Sequence, residues 1–195
     1  MSSLKFLKSC FLLAIVIGLN ACGNGGNNNE NTVNTKDTAE AKNDAKFDKV
    51  GEKDAQALVD AYAASTFEQR VSDTVKMYSS NADVQSIAGT MADAHSKLNM
   101  KIKGLADKKG VSLPADITPE QADKIMKWKE QKDKAERDKG YVSDLVSAHK
   151  DAIDLFQKSA QNCTDPDIKA LFSDALPELQ HHLEMATALH DKMKK

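Results

Sequence analysis

The chain has 195 residues, 27 of them basic and 29 acidic, for a formal net charge of −2. Such mixed charge offers no basic stripe for nucleic acid, whose binding rests on clustered Lys and Arg. Three cysteines spread over 195 residues exclude a dense disulfide framework.

In chain order, the first 22 residues carry the most specific signal. Lys5 and Lys8 form a positive start, an apolar run from Cys10 to Leu19 follows, and Leu19-Asn20-Ala21-Cys22 closes it. A secretory signal peptide has this order. The apolar run is about half the ~20 residues that a membrane-spanning helix needs, which makes a transmembrane anchor the weaker reading. Ending on Cys, with Asn20 at the loosely specified middle position, the segment resembles a bacterial lipobox. That resemblance implies cleavage before Cys22, diacylation of its thiol and acylation of the new amino group. Residues 1–21 are therefore expected to be a lipoprotein signal peptide and Cys22 the lipidation site. The expected partner is the membrane, reached through the acyl chains; one chain alone binds only marginally, whereas two or three anchor stably. Gly23 rather than Asp follows Cys22. By resemblance to the common Gram-negative sorting pattern, the expected place is the outer membrane, facing the periplasm. Cleavage removes two lysines and no acid, which takes the net charge from −2 to −4. No second apolar stretch is long enough to span a bilayer.

Residues 22–45 are rich in Asn, Gly, Thr and charge. Such a segment buries too little apolar surface to offset its ordering entropy and is predicted to be a disordered tether. The remaining residues, 46–195, have the size of one domain.

That domain reads as helix throughout, because no segment alternates with period two. A first helix is predicted from Asp54 to Ser79, with Leu58, Ala61, Tyr62, Ser65, Val71, Val75 and Tyr78 on one stripe. Asn81 is a plausible N-cap for a second helix, striped by Val84, Ile87, Met91, Leu98 and Ile102 and ended by Gly110. Thr118-Pro119-Glu120-Gln121 opens a short charged helical segment by cap, proline and capping box, and Trp128 is expected to pack there as a lid. Gly140 is expected to mark a break before a third helix carrying Tyr141, Leu145, Ile153 and Phe156. Asp165-Pro166 starts a fourth, in which Pro177 removes one backbone bond and should kink the helix. The predicted fold class is all-α, an antiparallel four-helix bundle with an extra short helical segment between helices 2 and 3.

Polar residues interrupt each stripe. His95 falls among Val84, Ile87, Met91, Leu98 and Ile102; His149 among Val142, Leu145, Ala152 and Phe156; His182 among Ala175, Leu179, Ala186 and Leu189. Glu68 lies between Ser65 and Ser72. Each helix thus brings one potential ligand to its apolar side, which is how metal sites in helical bundles are built. His181 and His190 fall off these lines.

The segment from Val84 to His95, the LADKKGVSLP turn from Leu105 to Pro114 and YVSDLVSAHKDAIDLF from Tyr141 to Phe156 carry a resemblance, together with DPDIKALFSDALPELQHHLEMA from Asp165 to Ala186 and Glu68. Over residues 54–190 the chain resembles the bacterial domain of unknown function family numbered 4142. Two departures stand out: Ala94 occupies the place of an acid before the first histidine, and Arg137 that of an aromatic before Asp138. The resemblance implies a ferritin-like bundle and an envelope location, and it supplies no activity.

A ferritin-like di-iron site needs two Glu-x-x-His pairs. Only Glu178 with His181 has that spacing; Ala92 and Val146 stand three residues before His95 and His149. The spacing therefore weighs heavily against a di-iron centre. A single Zn or Fe ion held by Glu68, His95, His149 and His182, with Glu178 nearby, fits the donor types. A metal-free Glu–His network would also satisfy these groups, and the sequence favours it: the domain is expected to hold less than stoichiometric metal, with no cofactor. Phosphate loops, nucleophile elbows and CxxC pairs are absent. With Cys10 removed and Cys22 acylated, Cys163 has no disulfide partner and reads as a small residue beside a helix start rather than a redox group. The expected function is that of an envelope lipoprotein acting as a binding or structural module, without a catalytic constellation; the alternative is a metal-binding or redox protein.

Overall fold

The computed structural model describes residues 35–194. Six helices and no strand occur among the described residues: α1 Thr35–Asp44, α2 Lys49–Tyr78, α3 Ala82–Lys109, α4 Pro119–Glu130, α5 Lys134–Asn162 and α6 Pro166–Met193. The chain is all-α. None of these helices is long and apolar enough to cross a membrane. The signal segment, Cys22 and residues 23–34 of the expected tether lie outside the described residues.

Side chains set most of the boundaries. Asn81 accepts from the backbone N–H groups of Asp83 and Val84, and Asp165 from those of Asp167 and Ile168, so α3 and α6 begin on satisfied donors. Thr118 and Gln121 close the predicted capping box behind Pro119. Gly110, at φ 70°, ends α3 in the left-handed conformation that a side chain would strain.

The four long helices pair as two hairpins. α2 lies along α3, and α5 along α6, through links at residues 79–81 and 163–165. The hairpins meet more sparsely, α3 against α6 and α2 against α5. Two apolar clusters fill the interior. One gathers Leu58, Ile102, Phe156, Phe172 and Leu179, with the Phe156 and Phe172 rings edge to face at 4.9 Å. The other gathers Val75, Val84, Met91, Val142, Leu145 and Ala186. Fully burying one such large side chain is worth about 1.5–3 kcal/mol. Along every long helix the polar residue falls between the two clusters, so a layer of Glu68, His95, His149 and His182 separates them.

Three expectations differ from the structure. The tether does not extend to residue 45: Thr35–Asp44 is helix α1, docked on α2. Its apolar content is as low as expected, and polar contacts hold it instead. Lys36 pairs with Asp60 at 2.7 Å, Gln56 donates to Glu40, and Asn43 both donates to the Ser112 carbonyl and accepts from its N–H. The first long helix starts at Lys49, not Asp54, because Asp48 caps it by accepting from Gly51 N–H. Gly140 makes no break. It lies inside α5, which begins at Lys134 on an Asp133 cap, and a Cβ there would meet nothing. Buried Arg137 and Asp138 anchor the first turns of α5 and outweigh the ~1 kcal/mol that an interior glycine costs. α6 continues past Pro177 as helix to Met193.

Candidate metal centre

The stripes deliver their polar residues to one place. Helical spacing puts Glu68 of α2, His95 of α3, His149 of α5 and His182 of α6 on the inner faces, and all four are buried. The His95 and His149 ring centres are 5.6 Å apart, His149 and His182 5.4 Å, and His95 and His182 6.2 Å. One ligating atom from each of the three histidines lies within 4.8 Å of the other two.

Each ring is held differently. His95 Nδ1 bonds Ser65 Oγ at 3.0 Å. His149 Nδ1 is 3.1 Å from the Leu145 carbonyl oxygen, an acceptor, so this nitrogen carries the proton and Nε2 the lone pair. Glu68 Oε2 approaches His149 Nδ1 at 3.2 Å and His95 Nε2 at 3.5 Å. Neither approach has hydrogen-bond geometry: Glu68 Oε2, His95 Nε2, His149 Nε2 and His182 Nδ1 are buried without hydrogen-bond partners. Sequence reasoning missed Ser65 and the Leu145 carbonyl as orienting groups. Ser65 was readable, since it sits one turn before Glu68 on the same stripe; the carbonyl left no trace in residue type.

The electrostatics follow from burial. Desolvation lowers the His149 pKa despite the Glu68 charge, and it drives His182 down to about 4, helped by the neighbouring imidazoles. Both rings are neutral near pH 7, the form that ligates metals. For Glu68, burial pushes the carboxyl up, but the surrounding histidines outweigh it and hold the pKa below the ordinary carboxylate value. A buried carboxylate with no Lys or Arg beside it carries a large desolvation cost that a cation would offset.

Glu178 does not join the cluster. It is exposed, one turn before His182, and lines a cavity of about 20 Å³ between α3 and α6 together with His95 and His182. That volume holds about one water-sized particle. His181 is exposed, with its ring centre 6.5 Å from that of His182, and His190 is only partly buried; neither belongs to the buried layer. Trp128 packs over the second apolar cluster from α4, as a lid should. Cys163 is buried at the end of α5, and burial together with Asp54 beside it pushes its thiol up to about 12.

Neither a curated protein nor a solved structure matches the chain significantly. A family described as a domain of unknown function (DUF4142) matches residues 36–189, which takes in α1 as well as the segment from 54 onward. The chain, with its four-residue polar layer, belongs to that family.

Proposed function

We propose that this protein is a lipid-anchored envelope protein whose helical domain binds one transition-metal ion. The observation that carries the metal is the buried set of three histidines from three helices, each with a ligating nitrogen that has no hydrogen-bond partner. An unsatisfied buried polar group costs about 1–3 kcal/mol, and four in one layer weigh against the metal-free network that the sequence favoured. Three imidazoles with an adjacent carboxylate suit zinc or iron. Bonds of about 2.0–2.1 Å require the rings to close in from their present spacing. His95, His149 and His182 would be the direct ligands. Glu68 Oε2, 3.2 Å from His149 Nδ1 but without hydrogen-bond geometry there, would supply negative charge beside a ligating imidazole and take up the orienting role of a supporting carboxylate as the rings close in.

The two-hairpin arrangement supports an antiparallel four-helix bundle of the ferritin-like kind, with α1 and α4 added outside it. The Cys22 lipobox, followed by Gly23, supports anchoring in the outer membrane on the periplasmic side. Elemental analysis of the purified chain after zinc or iron loading and dialysis tests the metal: one ion per chain is expected, lost in His149→Ala. Substoichiometric metal in the wild type would return the reading to a metal-free binding or structural module. The anchor is tested by globomycin-sensitive processing and by labelled palmitate incorporation, which Cys22→Ser should abolish.

A further inference from the structure

Where the hairpins meet sparsely, between α2 and α5, helix α4 lies over the seam. Under it is a cavity of about 480 Å³, within the usual size of small-molecule sites. Phe67 and Val71 of α2 and Ile125 and Trp128 of α4 form apolar walls, each only partly buried. The buried end is different: Glu68, Ser72 and Tyr141 meet there. Ser72 Oγ and Tyr141 Oη bond each other at 3.0 Å. That bond uses one of their two hydroxyl hydrogens, so the pair retains one O–H to donate, while the Glu68 carboxylate only accepts. At the rim, Lys124 and Lys127 are matched by Asp144 and Asp151, leaving no net charge preference.

We propose that this cavity binds a small neutral aromatic molecule bearing a hydroxyl group, with its ring between the apolar walls and its hydroxyl at the Glu68–Ser72–Tyr141 end. A hydroxyl both donates and accepts, and so answers both kinds of group at the buried end. An ammonium donates only, so it would answer Glu68 and leave the spare O–H of the Ser72–Tyr141 pair unanswered. A carboxylate accepts only and would meet Glu68, and the balanced rim gives no compensation for desolvating its negative charge. Because Glu68 also faces the imidazoles, the bound hydroxyl would lie beside the metal centre. The cavity does not need the metal to form, so the two proposals fail separately.

Trp128 is the sole tryptophan and lines the cavity, which gives a local probe. The full chain is titrated with 4-bromophenol, whose bromine quenches indole fluorescence on contact, once after chelator treatment and once with zinc. Saturable quenching of Trp128 is expected in both states. Bromobenzene, which lacks the hydroxyl, should bind about tenfold more weakly, as loss of a hydrogen bond to a charged acceptor predicts. The anion 4-bromobenzoate should not saturate. Ala148→Phe, which fills the α5 side of the cavity at a partly exposed position, should remove the saturable phase while leaving the far-UV circular dichroism unchanged. Equal, non-saturating quenching by all three compounds would overturn the proposal, as would wild-type quenching in Ala148→Phe. Zinc binding without phenol binding would sink this inference alone.

Discussion

Trp128 and Arg137 hold each other twice: the indole Nε1 donates to the Arg137 carbonyl oxygen at 3.1 Å, and the Arg137 guanidinium lies 4.6 Å from the centre of the same ring. The guanidinium also donates to the Tyr78 carbonyl at 2.7 Å, so one buried cation ties α4, the start of α5 and the end of α2. Arg137→Met keeps the aliphatic stem and removes the charged contacts, leaving the Tyr78 carbonyl and Asp138, whose carboxylate lies 3.7 Å from Arg137 Nε, short of a partner. It should destabilise the fold by about 2–4 kcal/mol. At roughly 2–4 °C per kcal/mol for a domain of this size, thermal unfolding should show a fall on the order of 10 °C. A shift below 2 °C would mean that α4 is held by its apolar face alone.

Asp54 makes the pH prediction. Its carboxylate accepts from Thr164 N–H at 2.9 and 3.1 Å, Thr164 Oγ1 at 2.8 Å and Asp165 N–H at 2.8 Å, joining α2 to the link before α6. Burial pushes its pKa up, but these donors outweigh burial and hold it below the ordinary value of 3.8. A depressed folded pKa means that the unfolded chain takes up the proton first as pH falls. The contribution is therefore complete at neutral pH, and it is lost below about pH 4 as the pH drops through the folded value. Asp54→Ala should cost about 2–3 kcal/mol in urea unfolding at pH 7, and the gap to wild type should narrow in acid. A gap that stays constant down to acid pH would contradict the assignment.

The roles given to Glu68 and the histidines separate in a metal titration. Removing the carboxylate that orients a ligating histidine typically lowers affinity by about 10- to 100-fold. Glu68→Gln should therefore weaken zinc binding by that factor while retaining one ion per chain, measured by competition with a chromophoric chelator. His95→Ala, His149→Ala and His182→Ala should each remove stoichiometric binding. If Glu68→Gln behaved as the histidine variants do, the carboxylate would be a direct ligand.

Cys163 is expected to be chemically quiet. The thiolate is the reactive form, and a thiol pushed up to about 12 by burial and by Asp54 holds almost none of it at neutral pH. Iodoacetamide should leave the native protein unmodified at this position and label it only under denaturing conditions. Rapid labelling of the folded chain at pH 7 would restore the redox reading.

Much of this was legible in the sequence because it rests on local physics. The caps at Asn81, Thr118 and Asp165, the glycine end at Gly110 and the lining-up of His95, His149 and His182 all follow from spacing along a single helix. What escaped depends on partners far away in the chain. α1 buries only Ala39 and Asn43, and what holds it is the reach of Asn43 to Ser112 and of Lys36 to Asp60. Gly140 reads locally as a breaker and is overruled by Arg137 and Asp138 packing in the turn before it. Glu178 has the spacing of a ligand motif but faces outward, because the inner face of α6 belongs to Leu179 and His182.

The polar layer lies where two helical hairpins abut, with one of its residues drawn from each of the four long helices. Contacts inside a hairpin are close in sequence, whereas those between the hairpins are not, so the two hairpins are the natural units of partial opening. An ion bound there would cross-link them as a rivet joins two plates. Amide hydrogen exchange on the facing sides of α2, α3, α5 and α6 would then slow together on loading, while exchange in α1 and α4 would scarcely change.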